Sequence, residues 1–162
     1  MDPASRPAFQ GPQPFGRYEL LVEMGFGGMA TLYLARMSGP SNFEKLLAIK
    51  KIHEQLVADP QMVEMFLDEA RISARIQHPN VVQMFEFDEV EGAHYMAMEY
   101  VHGHDFAALL NAAQENPESA YHWGHAARVV ADAAAGLHAA HELCGADGTH
   151  LNLVHRDVSP QN

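Results

Sequence analysis

Gly25-Phe26-Gly27-Gly28-Met29-Ala30 separates two segments that read as strands, Tyr18–Met24 (YELLVEM) and Thr31–Arg36 (TLYLAR). The second alternates Leu32 and Leu34 with Thr31 and Tyr33, the two-residue period of a half-buried strand. Leu46–Lys51 (LLAIKK) predicts a third strand, after a loop holding Gly39, Pro40 and Asn42. Glycine at 25, 27 and 28 leaves backbone N–H groups open to a phosphate without side chains in the way. The same pattern also suits a plain hairpin turn. A P-loop is excluded, because the chain contains no Gly-Lys pair. A dinucleotide-binding turn opens a helix and is followed by an acidic residue at a strand end. Here the turn opens a strand, and the next strand ends in Lys50-Lys51.

Outward from this core the reading continues in both directions. Residues 1–16 carry Pro3, Pro7, Pro12 and Pro14 with no periodic apolar face, and read as a flexible proline-rich tail. Asp59-Pro60 predicts a helix start, a side-chain cap followed by proline in the first turn. Val63, Phe66, Leu67, Ala70 and Ala74 then lie on one helical face. That helix should end before His78-Pro79. Val81–Asp88 and Ala93–Tyr100 read as two more strands around a turn ending in Gly92. Asp105–Gln114 and Trp123–Leu143 read as helices, the second with Trp123, Ala126, Ala127, Val130, Ala134 and Leu137 on its apolar face. Leu151–His155 looks strand-like. Five strands with one helix among them, then helices, make an α+β arrangement.

Composition removes other classes. The 162 residues include 10 Lys and Arg against 21 Asp and Glu, a formal charge of −11, which opposes a nucleic-acid or anionic-membrane binder. No apolar run is long enough for a membrane span, and the first 17 residues lack the apolar stretch of a secretory signal. The single cysteine, Cys144, fits a reducing, cytoplasmic compartment. The oligomeric state is left open.

Four ordered features now combine: the glycine turn, Ala48-Ile49-Lys50 on a strand, Glu69 on the first helix, and His155-Arg156-Asp157 followed by Asn162. With GFGGMATLYLAR, LAIKKI, FLDEARISARIQHPNVV, MAMEYVHG and VHRDVSPQN, the chain resembles the protein kinases. It looks most like the eukaryotic-type serine/threonine kinases of bacteria, over residues 17–162. The resemblance implies a kinase-like fold. Residues 17–101 would form the ATP-binding N-lobe, a five-stranded antiparallel sheet with one helix. Residues 102–162 would begin a helical C-lobe. It implies that Lys50 contacts the α- and β-phosphates of ATP, held by an ion pair with Glu69. Gly25, Gly27 and Gly28 would cover the phosphates. Met24, Leu32 and Ala48 would line the adenine slot, with Met98 behind it and Glu99, Tyr100 and Val101 as the hinge. Asp105 would reach the ribose. Asp157 would orient a serine or threonine hydroxyl of a protein substrate, and Asn162 would bind Mg²⁺. His155 would pack inside the larger lobe, and Arg156 would be structural.

Each assignment has a plainer competitor. Lys50 could be a solvated strand-end charge, a role that suits Lys51 better. Glu69 could pair with Arg71 or Arg75, and the apolar residues also serve as core. Ala30 stands where the family usually has a third glycine. Leu32 replaces a usual valine, and Ser159 replaces a usual lysine near the transferred phosphate. The sequence stops at Asn162, ahead of the Asp-Phe-Gly segment the family carries. The expectation is therefore a fragment that does not turn over alone. The alternative is a non-catalytic kinase-like interaction module. His138, His141 and Cys144 have a spacing that suggests a partial zinc site, outweighed by ordinary helix packing.

Overall fold

Alternation along the strands decides which side of the sheet each residue faces. The computed structural model describes residues 9–115 and 123–161. The chain forms two units, one of Met1–Ala74 with Gln83–Tyr100, the other of Arg75–Val82 with Val101–Asn162.

The first unit is an antiparallel sheet with strands β1 (Gln13–Phe15), β2 (Tyr18–Phe26), β3 (Ala30–Ser38), β4 (Glu44–Ile52), β5 (Met84–Val90) and β6 (Ala93–Glu99). Their order is β1-β2-β3-β4-β6-β5. One helix, α1 (Pro60–Ser73), lies between β4 and β5 in the chain. Asp59 caps it, accepting the Gln61 N–H at 2.9 Å, with Pro60 in the first turn. The helix ends at Ser73, several residues before the predicted stop at His78-Pro79.

On β4 and β6 successive residues alternate between two cores. Leu47, Ile49, Tyr95 and Ala97 pack with Phe15, Tyr18, Leu20 and Ala35 on one side. Ile52 and Met96 pack with Ala30, Phe66 and Ala70 on the other, which α1 covers. Phe66 is fully buried there. Burying such a ring is worth about 3 kcal/mol.

A sixth strand was not expected. β1 lies within the segment read as tail, pairing Gln13 with Leu20 and Phe15 with Tyr18. Pro14 is tolerated because β1 is an edge strand of three residues. Phe15 is the reason the segment docks: it is buried and meets the Tyr95 ring edge-on at 5.1 Å. Phe9 also packs on Tyr33 at 5.3 Å. The remaining tail, residues 1–8, lies outside the described residues.

The sheet curls until its two edges meet. Arg17, in the β1–β2 turn, pairs with Glu86 on β5. The Tyr18 and Tyr95 hydroxyls donate to the same carboxylate at 2.7 and 3.0 Å. Gly16 has φ +56, and a Cβ there would stand 2.8 Å from a Val90 methyl, so only glycine fits this closure. Burial, with the neighbouring Tyr18 and Asp88, pushes the Tyr95 hydroxyl up to about 12.

The second unit holds α2 (Phe106–Glu115) and α3 (Trp123–His141). Gly136 is the contact point of α3: a Cβ there would lie 2.8 Å from the Asn80 carbonyl. The Asn80 side chain donates to the Asp132 carbonyl at 2.9 Å, and Arg128 holds the Asp132 carboxylate at 2.7 Å. The expected apolar face of α3 is covered only in part: Ala126 and Leu137 are half-buried, while Trp123 is 88% and Val130 61% exposed, and the side that meets Asn80 carries Asp132 and Gly136. Leu151–His155 forms no strand; a single bridge, Cys144 to His150, precedes it.

Candidate nucleotide and catalytic site

Consecutive cross-strand partners put four residues in one row: Gly25 opposite Leu32, Leu32 opposite Lys50, Lys50 opposite Met96. Directly paired residues share a face of the sheet. A second row runs Val22, Leu34, Ala48, Met98. The lysine therefore lies two strands from the first glycine of the turn and one row from Ala48 and Met98.

Lys50 donates a hydrogen bond to Glu69 on α1. Phe66 is the cause of that meeting. It anchors α1 in the core, one helical turn before Glu69, and its ring centroid is 6.0 Å from the Lys50 ammonium. Arg71 is committed to Glu64 and Asp68 at 2.6 and 2.7 Å, and Arg75 donates to the Cys144 carbonyl. Neither takes Glu69.

The contrast with Lys51 differs from expectation. Its side chain is 22% exposed against 29% for Lys50, so it is not the more solvated of the two. Strand alternation turns it to the other face. There it pairs with Glu54 at 3.0 Å and lies over the Phe15 ring at 5.4 Å. β1, unforeseen in the sequence, supplies that ring.

The glycine turn is held by a bond from the Gly27 N–H to the Ala30 carbonyl at 2.9 Å. Gly25, Gly27 and Gly28 all lie outside the left-handed region. A Cβ at Gly28 would meet nothing within 4 Å. The fold alone thus makes no demand for glycine at position 28, and the surface it leaves open is backbone. An ammonium fixed by a carboxylate beside such a turn is suited to holding a phosphate chain.

Met24 is exposed on β2. Leu32 is half-buried, and Ala48 is buried. Met98 packs against the core under α1. Glu99 already spends its N–H on the Gln83 carbonyl at 2.8 Å. Val101 is exposed in the second unit.

Also in the second unit, Asp105 accepts the Ala108 N–H at 2.7 Å and so caps α2. Pro160 accepts the Ala107 N–H at 2.9 Å, tying the segment before Asn162 to the first turn of α2. Asp157 is exposed, and its N–H donates to His155 Nδ1 at 3.3 Å. His155 is exposed rather than packed inside, since Gly136 is the one fully buried residue described in this unit. Arg156 takes a left-handed φ of 64. Asn162 lies outside the described residues. Among the described residues, His138, His141 and Cys144 included, no three His, Cys, Asp or Glu side chains converge on a metal position. Mg²⁺ bound mainly through phosphate oxygens and water needs few protein ligands.

Residues 18–162 match the family model described as protein kinase domain. The tyrosine-protein kinase MasK of Myxococcus xanthus is 43% identical over 153 residues, 93% of this chain and 23% of that protein. A probable serine/threonine-protein kinase, pknA2 of Bifidobacterium longum, is 35% identical over 150 residues, 91% of this chain and 18% of that protein. The crystal structure of the PknI kinase domain of Mycobacterium tuberculosis superposes with a TM-score of 0.67 at 26% identity. It covers 96% of this chain and 56% of that one. The chain belongs to the protein kinase family, with the eukaryotic-type bacterial kinases as its relatives. It spans less than a quarter of the length of the two curated relatives.

Proposed function

We propose that the chain provides the ATP site and the catalytic aspartate of a cytoplasmic serine/threonine protein kinase. The observation that carries this reading is the Lys50–Glu69 pair, in the cross-strand row that begins at Gly25. In it, Lys50 binds the α- and β-phosphates while Glu69 keeps the ammonium in place. The turn at Gly25, Gly27 and Gly28 covers the phosphates with backbone N–H groups. Met24, Leu32, Ala48 and Met98 line the adenine slot, and Glu99 and Val101 bind the base through backbone groups. The Glu99 N–H is already used, which leaves its carbonyl for adenine. Asp105 serves the ribose with the oxygen not engaged in capping. Asp157 orients the protein hydroxyl and takes its proton as that oxygen bonds to the γ-phosphorus and the bond to ADP breaks. Asn162 would be the ligand that holds Mg²⁺, which would supply neutralisation of the phosphate charge.

Ser/Thr selectivity rests on Pro160 and Asn162 after Asp157, and on relatives such as the one from B. longum. The printed name of the M. xanthus relative favours a second reading, tyrosine as acceptor. Two measurements decide. Mg-ATP should raise the melting temperature of the chain by several degrees, and Lys50→Ala should abolish the rise. No shift at millimolar Mg-ATP would leave the non-catalytic interaction module as the better account. Phosphotransfer by the natural protein to peptides matched except for Ser, Thr or Tyr then assigns the acceptor.

A further inference from the structure

The glycine turn is gripped from outside by a residue that belongs to no motif. His53 directly follows β4 and contacts the turn in three ways. Its ring stacks on Phe26, with centroids 4.6 Å apart and planes at 18°. Its Nε2 lies 3.1 Å from the hydroxyl of Thr31, a residue only 4% exposed. Its backbone N–H donates to the Met29 carbonyl at 3.0 Å. Phe26, Met29 and Thr31 bracket Gly27 and Gly28 on both sides. Within the stretch between them the Gly27 N–H donates to the Ala30 carbonyl. A glycine turn loses backbone freedom when it closes on a ligand, and an external anchor reduces that cost beforehand.

We propose that His53 is a positioning residue for the glycine turn and thereby sets affinity for the phosphate chain of the nucleotide. The inference rests on the ATP-site reading above and names a residue that reading does not use. His53 acts through Phe26, Met29 and Thr31 and touches no nucleotide atom itself. Because the anchor acts on the turn, its effect belongs to the phosphates and not to the base. The backbone bond to Met29 survives any side-chain change, so His53 variants isolate the ring's contribution.

The experiment compares the unaltered chain with His53→Ala, His53→Phe, which keeps a ring for stacking, and Thr31→Val. Binding of Mg-ATP and of adenosine is measured by calorimetry, and amide hydrogen exchange is followed in the free protein. His53→Ala should weaken Mg-ATP about tenfold while leaving adenosine affinity unchanged. It should speed exchange at residues 26–31 without speeding it in β6. His53→Phe should recover part of the Mg-ATP affinity, and Thr31→Val should lose part of it. Equal losses for Mg-ATP and adenosine would overturn the inference, as would unchanged exchange in the turn or an unaltered Mg-ATP affinity. If the unaltered chain binds adenosine but not Mg-ATP, the positioning role falls. If it binds neither nucleotide, the ATP-site reading itself falls, and the inference falls with it.

Discussion

Lys50 and Glu69, nineteen residues apart, are joined by a hydrogen bond that links the centre of the sheet to α1, the helix that covers it. Both side chains are partly exposed, at 29 and 45%. Pairs of this kind contribute at most about 1 kcal/mol to stability. Lys50→Met and Glu69→Gln should therefore each cost less than about 1 kcal/mol in urea unfolding. Both should sharply reduce the thermal stabilisation by Mg-ATP. A cost several times larger would make the pair a structural element and weaken the ATP-site reading.

Gly28 permits a cleaner separation of fold from function. The space around its missing Cβ is open, and its φ is one that other residues adopt. Gly28→Ser should change stability by less than about 0.5 kcal/mol. A side chain over the turn should nevertheless weaken Mg-ATP binding in calorimetry. Unchanged Mg-ATP affinity would mean that no phosphate approaches this backbone.

Phe66 is the residue on which the placement of Glu69 depends. Removing its ring leaves a cavity between α1 and β6, in the cluster with Ile52, Ala70 and Met96. Phe66→Ala should cost about 3–5 kcal/mol, read as a lower urea midpoint. Phe66→Leu, which refills most of the space, should restore most of the stability. It should also keep the Mg-ATP response that Lys50→Met sharply reduces.

The closure of the sheet carries an alkaline signature. Tyr95 is neutral in the fold up to about 12, whereas its ordinary value is 10.0. The unfolded chain loses this proton first, so ionisation favours unfolding as pH rises. The stabilising contribution is whole below pH 10.0 and is lost between 10.0 and about 12. Tyr95→Phe should flatten that part of the stability profile, followed by urea midpoints across the range. An unchanged slope in the variant would assign the alkaline loss to other groups.

Local rules made much of the fold legible. Strand alternation around Ala48 and Tyr95, the Asp59-Pro60 cap and the spacing of Phe66 and Ala70 are all short-range patterns. The helix, and five of the six strands, followed from them within a few residues at each end. The catalytic-segment residues were legible only as an ordered motif, because nothing local distinguishes Asp157 from another exposed carboxylate. β1 stayed hidden because Pro12 and Pro14 look like tail, while the docking of Phe15 depends on Tyr95, far along the chain. His53 stayed hidden for the same reason: its partners Phe26 and Thr31 are brought to it by strand pairing and by no spacing of its own.

Composition and periodicity were enough to establish a half-buried sheet with one amphipathic helix, because each residue's preferred side follows from its immediate neighbours. The ordered motif already named Glu69 as the partner of Lys50, but tertiary structure alone turned Lys51 away onto Phe15 and brought Arg17 and Tyr18 round to Glu86. Those pairings cost loop-closure entropy over long stretches of chain, and only the combined burial of both cores offsets it.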